Sequence, residues 1–259
     1  IDHIISSRIY NLKNTLGDQL KFYVPYLLLM IIMALIWMVS GIMGFLAFAI
    51  ITMYHFGQAD LKHLQLPKIY RHVLTFSRGL MILSLIIFMD SSYTFPVIEE
   101  AAGINIQPGN WLLEHGFETG ALLALQHPLL LLTVLLKFRK RQINAWWYPV
   151  LDALLIFTLF ALNDPIIAFS IYFSFWHSMG HLFEMKDFFK RAGDSLPLWK
   201  FYKLALPFTL ISLAGLWLLY LLNTAIGMEE RMVALLFILI SVLTLPHVFV
   251  VEKMLSTKS

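Results

Sequence analysis

The residues best suited to chemistry are His177 and His181, which lie four positions apart at the end of a long apolar segment. On an α-helix, residues i and i+4 share one face, with Cβ atoms about 5–6 Å apart. Both imidazoles could therefore bind one metal ion, and histidine is the commonest metal ligand in proteins. The alternative is a hydrogen-bonded pair at a helix interface. The pair alone is compatible with many metals, so the rest of the chain must decide between these interpretations.

The composition indicates an all-α, polytopic membrane protein. Of the 259 residues, 59% are hydrophobic and only 14% are charged, with a mean hydropathy of +0.74, whereas soluble domains carry about 25% charged residues. The chain has no cysteine, so any metal must be held by His, Asp or Glu, which suit iron, zinc, copper or manganese. No basic stripe suggests nucleic-acid binding. Because the sequence begins at Ile1, we expect that the native N-terminus is truncated.

The apolar segments predict about eight transmembrane helices in a single domain that covers residues 1–259. A helix needs about 20 predominantly apolar residues to cross a bilayer. The predicted spans are residues 22–40, 44–58, 73–90, 119–136, 145–162, 166–185, 203–222 and 231–251. Between the third and fourth spans, the acidic segment 91–118 contains several Pro and Gly residues, which favour a structured surface loop.

The distribution of Lys and Arg predicts the orientation of these spans. Basic ends of the predicted spans alternate with acidic or neutral ends along the whole chain. Because cytoplasmic loops carry an excess of Lys and Arg, the alternation places both the N- and C-termini in the cytoplasm. We therefore expect a multi-pass protein of the cell (inner) membrane.

This topology brings five histidines to one level near the cytoplasmic side of the membrane: His3, His55, His177, His181 and His247. Ionisable side chains at membrane depth are usually functional, and the shared depth argues against a purely structural role for the group. By contrast, we interpret His127, which precedes Pro128, as a hydrogen-bonded packing residue.

Polar and aromatic neighbours could support a metal site. Asp2, Asp60 and Glu184 could accept the second ring N–H of a ligand histidine and so fix its tautomer, although capping or solvation is favoured for Asp60. Tyr54 could hydrogen-bond a bound oxygen species. Aromatic side chains close to the histidines could either pack ordinarily or line a tunnel for a long apolar ligand; they include Phe56, Phe173 and Trp176.

Several motifs together resemble the Brp/Blh family of integral-membrane β-carotene 15,15′-dioxygenases. They are Tyr54-His55-Phe56-Gly57-x-x-Asp60, Trp176-His177-x-x-x-His181, Pro246-His247, and Asp2-His3 as the end of a longer N-terminal motif. The resemblance covers essentially the whole chain in order and spacing. Two features depart from the family pattern: the earlier histidine of the N-terminal motif is absent, and Gly180 stands where a bulkier, often basic, residue is expected.

The resemblance implies a specific reaction. A non-haem Fe(II) ion would be held by His3, His55, His177 and His181, with His247 as a possible additional ligand. The protein would use O₂ to cleave the central double bond of β-carotene, giving two molecules of all-trans-retinal. A retinal-binding opsin is a candidate acceptor of the product.

Other functions remain open on the residues alone. A non-catalytic carotenoid- or retinal-binding membrane protein would need the apolar tunnel but no metal. A di-iron membrane desaturase or hydroxylase would need HxxHH clusters, which the sequence lacks. A b-type cytochrome would need histidine pairs that face each other across the bilayer, whereas these histidines share one side. A retinylidene photoreceptor would need a lysine at mid-membrane, and no predicted span contains one there.

Overall fold

A computed structural model describes residues 2–13, 15–61, 64, 66–106, 109–138, 147–193, 197–226 and 232–256. Within these ranges every regular element is a helix. The helices are α1 Asp2–Ile9, α2 Leu16–Val39, α3 Gly41–Asp60, α4 Lys68–Phe88, α5 Ser91–Ala102, α6 Trp111–Glu114, α7 Gly116–Lys137, α8 Tyr148–Leu162, α9 Pro165–Ile171, α10 Met179–Arg191, α11 Leu198–Ile226 and α12 Met232–Ser256. A π-helix, Tyr172–Ser178, connects α9 to α10.

The prediction of a helical membrane protein is confirmed. In the described chain, six helices are long and apolar enough to cross a membrane: α2, α3 as far as Gln58, α4, α7, α11 and α12. The predicted fifth span corresponds to α8, an apolar helix of only 15 residues. The predicted sixth span is divided among α9, the π-helix and α10. The count of eight spans and the cytoplasmic position of the termini remain predictions.

The prediction of a surface loop over residues 91–118 was largely wrong, because most of this segment is helical. Asp90 caps α5, and its side chain accepts a hydrogen bond from the Tyr93 backbone N–H at 3.2 Å. Gly103 ends the same helix in the left-handed conformation, with φ of +65°. An Asp N-cap and a Gly just past the end are helix start and stop signals. The sequence interpretation had treated the Pro and Gly residues only as markers of turns.

The chain forms two compact units. The first unit comprises residues 1–45, 100–102 and 182–259, and the second comprises residues 46–99 and 103–181. This division leaves the prediction of a single transmembrane domain untested. In the first unit, α12 packs against α1 and α2. Its described core consists of apolar side chains from α1, α10 and α12: Ile5, Leu182, Met185, Phe188, Phe189 and Met254.

The second unit is built around α4, which packs extensively against α7 and also contacts α8 and α9. Its principal apolar cluster comprises Phe56, Met81, Ile82, Leu85, Ala124, Ala153, Ile156, Phe160, Ala168 and Tyr172. This core lies against the end of α3, which carries the YHFG motif, and against the π-helix, which carries the first histidine of the HxxxH motif. Its packing therefore determines where the histidines of the second unit can point.

Candidate metal centre

His177 lies in the π-helix Tyr172–Ser178, whereas His181 lies in the α-helix that follows. The sequence had predicted one regular α-helix through both residues. A π-helix makes i→i+5 hydrogen bonds, is rare, and is found most often at functional sites. His177 is buried and His181 is half-buried. The local departure from α-geometry thus coincides with the first histidine of the motif.

The structure brings His177 together with His55, which is near the end of α3. The two ring centroids are 4.9 Å apart and the ring planes meet at 76°. Both side chains are almost completely buried, at 3% exposure for His55 and 5% for His177. Two imidazoles in this edge-to-face contact come from segments far apart in the chain, so this convergence is a property of the fold. It confirms that the YHFG and HxxxH motifs meet.

Aromatic rings enclose this histidine pair. The Phe56 ring lies edge-on to His177, with centroids 4.8 Å apart, and the Phe173 ring stacks on His177 at 5.5 Å. Phe56 is buried against Tyr172, whereas Phe173 is 39% exposed. Phe56 therefore acts as part of the core, and Phe173 is the residue of the two that presents a face to a ligand.

The predicted set of metal ligands remains a prediction. Within the described part of the chain, no group of three or more His, Asp or Glu side chains is arranged so that it could hold a metal ion. The donor chemistry nevertheless fits the iron that the family resemblance implies. The buried donors are imidazoles, which suit iron as well as zinc and copper, and the chain has no thiol to favour a softer metal.

In the first unit, the Asp2 carboxylate pairs with the His247 ring in the way that a carboxylate orients a metal-binding histidine. Both Asp2 carboxylate oxygens lie 3.0 Å from His247 Nδ1, and the Tyr26 hydroxyl donates to Asp2 Oδ2 at 3.0 Å. Burial is the largest single influence on the pKa of Asp2 and raises it, but the hydrogen bonds and charge interactions together, chiefly those with His247, lower this pKa below its usual range. A ring that donates Nδ1–H presents Nε2 as its basic nitrogen, which is the tautomer that metal-ligating histidines commonly adopt.

His3 packs among aromatic rings at the start of α2. Its ring stacks on Tyr23 with centroids 5.2 Å apart and meets the edge of Phe22 at 5.3 Å. His3 and Glu184 are both half-buried and both belong to the first unit. The other three predicted ligands, His55, His177 and His181, belong to the second unit.

Three residues that the sequence placed near the metal or the substrate have other partners. Asp60 accepts a hydrogen bond from Arg78 Nε at 2.9 Å. The sequence had led us to expect that Asp60 would either accept a hydrogen bond from a histidine or act as a solvated helix cap, and it does neither. The indole N–H of Trp176 donates to Asp152 Oδ1 at 2.8 Å, so this ring is anchored as well as available to line a tunnel. The Tyr54 hydroxyl accepts a long hydrogen bond of 3.4 Å from Gln58.

His127 is a buried packing residue, as predicted. Its ring is fully buried and its Nδ1 lies 3.0 Å from Ser77 Oγ. The Ser77 hydroxyl in turn donates to Gln126 Oε1 at 2.8 Å. Since that hydroxyl has a single hydrogen, it accepts from the histidine, and the ring is hydrogen-bonded within the helix pair.

Sequence reasoning missed the buried charges Arg78 and Asp152. Arg78 is 1% exposed and bridges Asp60 and Asp152 inside the second unit. The sequence analysis used Lys and Arg only to orient the predicted spans and did not consider Asp152. The available signal was an arginine within one predicted span and an aspartate within another, since opposite charges at membrane depth usually pair.

The first unit also contains a cavity of about 450 Å³ between α1, α2 and α12. Its wall is mainly apolar and aromatic, with two lysines: Ser6, Tyr10, Leu12, Lys21, Phe22, Pro25, Tyr26, Leu29, Pro246, Phe249, Val250 and Lys253. Ligand pockets in proteins typically measure 300–1,000 Å³ and are lined mostly by hydrophobic and aromatic side chains. The cavity therefore has the size and the lining of a binding site for an apolar ligand.

Comparison with known proteins identifies the family. The model of the β-carotene 15,15′-dioxygenase family matches residues 1–255. A protein of Halobacterium salinarum named probable β-carotene 15,15′-dioxygenase Blh is 36% identical over 124 residues, which is 45% of this chain and 36% of that protein. The matched segment is thus well under half of that relative's length. No solved structure matches the chain. Because the family model covers nearly the whole sequence, the chain belongs to the β-carotene 15,15′-dioxygenase family.

Proposed function

We propose that this protein is a β-carotene 15,15′-dioxygenase, which uses O₂ to cleave the central double bond of β-carotene and releases two molecules of all-trans-retinal. The observation that carries the proposal is the family match over residues 1–255. It is supported by the buried contact between His55 and His177, which joins the two most informative motifs of the sequence.

The proposed cofactor is a non-haem Fe(II) ion with the ligands His3, His55, His177 and His181, and with His247 as a possible additional ligand. When bound, the iron would supply the activation of O₂, a capacity that no amino-acid side chain has. Imidazole ligands are neutral, so they leave the charge of the metal uncompensated. In the second unit, burial holds His55 and His177 in fixed orientations and keeps water from their rings.

Other side chains have supporting roles in the proposal. Asp2 holds His247 in the tautomer whose Nε2 is basic. Tyr54 and Glu184 remain candidates for hydrogen bonds around the metal. Phe56 packs edge-on against His177, and Phe173 offers a partly exposed ring on which a polyene can stack. Selection of the central bond would follow from how these rings position the substrate.

The proposed setting is the bilayer of the cell (inner) membrane, with both termini on the cytoplasmic side. The support is the set of six membrane-length helices and the alternation of basic and acidic ends in the sequence. β-Carotene is a hydrocarbon that partitions into lipid, so a substrate arriving from the membrane is consistent with this placement. An opsin that takes up retinal is a further candidate partner.

An assay of the purified protein with β-carotene distinguishes the proposed cleavage reaction from the alternative functions. With Fe(II) and air, the proposal predicts loss of the β-carotene absorption band and the appearance of retinal, and it predicts no loss without O₂. A non-catalytic carotenoid-binding protein would retain the band under both conditions. A di-iron desaturase or hydroxylase would bind two iron ions per chain and leave the carbon skeleton of the substrate intact.

A further inference from the structure

The second unit contains a charge that is costly to place in a membrane helix. Arg78 lies near the middle of α4 and is only 1% exposed. Its guanidinium group lies 2.9 Å from Asp60 Oδ2 and 2.6 Å from Asp152 Oδ2. Charged side chains at such positions are rare and usually have a function. Arg78, which belongs to α4, therefore forms ion pairs with one residue at the end of α3 and with one residue of α8.

Both carboxylates also contact the π-helix. Asp152 Oδ1 accepts the indole N–H of Trp176 at 2.8 Å, and the Tyr172 hydroxyl lies 3.5 Å from Asp60 Oδ2, at the limit of a hydrogen bond. Trp176 immediately precedes His177 in the chain. The buried charges are therefore linked by one strong hydrogen bond, and by a second weak one, to the segment that carries a predicted metal ligand.

The helices α3 and α4, which hold Asp60 and Arg78, are in backbone contact. A Cβ atom added to Gly57 would lie 1.7 Å from the Thr75 carbonyl oxygen, and one added to Gly79 would lie 1.8 Å from that of Met53. Gly79 follows Arg78 directly, and Gly57 lies between His55 and Asp60. Since only glycine permits this approach, the position of Arg78 is fixed relative to both His55 and Asp60.

We propose that Arg78, Asp60 and Asp152 form a positioning cluster that holds the π-helix in register and thereby keeps His177 against His55. The inference rests on the proposed function, because it assigns the cluster to the metal site of that function. Reversion of the π-helix to α-geometry would remove one residue from the turn and rotate the following side chains by about 100°. The hydrogen bond from Trp176 to Asp152 opposes that rotation at the residue next to His177.

The test measures metal binding and local opening of the full-length protein in detergent, without carotenoid. The informative variants are Trp176→Phe, which removes the hydrogen bond and keeps every charge, and Asp152→Leu, which removes the acceptor. Trp217→Phe is the matched control, because Trp217 is an exposed ring on α11. Co(II) serves as the probe, since its visible spectrum reports the number and arrangement of ligands.

The cluster predicts that Trp176→Phe and Asp152→Leu each change the Co(II) spectrum and weaken Co(II) affinity by about 10- to 100-fold, which is as much as the loss of a residue that hydrogen-bonds a metal ligand directly. Amide hydrogen exchange over residues 172–181 should become faster in both variants and stay unchanged in Trp217→Phe. The double variant should show less than the sum of the two effects, because both residues act through one hydrogen bond. Asp152→Asn, which keeps an acceptor oxygen, should largely restore both readouts.

Three experimental results would contradict the proposal, and each of them contradicts a different part of it. Unchanged exchange over residues 172–181 in both folded variants would overturn the positioning role, whatever the metal does. Wild-type Co(II) affinity and spectrum in those variants would overturn it while leaving the proposed function intact. A wild-type protein that binds neither Co(II) nor Fe(II) would overturn the proposed function, and the assignment of this cluster to a metal site would fail with it.

Discussion

His55 and His177 lie in direct edge-to-face contact, with ring centroids 4.9 Å apart in the buried interior of the second unit. Neither residue is informative alone, since a single histidine in a membrane helix is often only a packing residue. Their contact is held by α3 on one side and by the π-helix on the other. The predictions below follow from that arrangement.

Replacement of His177 by alanine should remove bound iron from the purified protein without unfolding it. The imidazole is a predicted ligand, and its loss leaves a small apolar side chain in its place. Iron per chain, measured by elemental analysis alongside circular dichroism, is the appropriate readout. His115→Ala is the matched control, because His115 lies beside Trp111 at the end of α6 and is not a predicted ligand. Equal iron content in both variants would contradict the ligand role of His177.

The variants His3→Ala and His247→Ala should differ in their iron content. The predicted set contains His3, so His3→Ala should lose iron as His177→Ala does. His247→Ala should retain one iron per chain, because His247 is only a possible additional ligand. The reverse outcome, with iron lost from His247→Ala and kept by His3→Ala, would show that the Asp2–His247 pair completes the site instead.

Alanine at Gly57 or Gly79 should destabilise the second unit. Each added Cβ would overlap a backbone carbonyl oxygen of the neighbouring helix, and backbone atoms cannot move aside as a flexible side chain can. Overpacking of this kind costs about 1–3 kcal/mol or more, and we expect the upper end of that range. Thermal unfolding in detergent measures it. Gly180→Ala is the control, since a Cβ there meets no atom within 4 Å. Similar melting temperatures for all three variants would argue against the close packing of α3 on α4.

Arg78→Met should be strongly destabilising, because it leaves the carboxylates of Asp60 and Asp152 without their shared cation. Removing one partner of a buried ion pair typically costs about 3–5 kcal/mol. Adding Asp60→Asn and Asp152→Asn to Arg78→Met should recover part of the loss, because no buried charge then remains unpaired. The melting temperatures of the single and triple variants measure this recovery. A triple variant less stable than Arg78→Met would show that the carboxylates have another stabilising partner.

Much of the fold was predictable because membrane helices are long apolar segments with recognisable ends. The contact between the two motifs was also anticipated, because topology placed His55 and His177 at one depth. The π-helix was not predictable, since no residue type in Tyr172–Ser178 distinguishes it from an α-helix. The role of Arg78 was missed because its charge was used only to orient the third predicted span. Its partners Asp60 and Asp152 come from different helices, and single-sequence patterns do not indicate which helices pack together.

The central claim is tested most directly by product analysis with iron-loaded protein. Purified protein in detergent, shown to contain one Fe(II) per chain, is incubated with β-carotene under air, and the products are separated by chromatography. The proposed function predicts two molecules of all-trans-retinal for each β-carotene consumed. Iron-loaded protein that binds β-carotene and returns it uncleaved, or that yields products of unequal length, would contradict cleavage of the central bond.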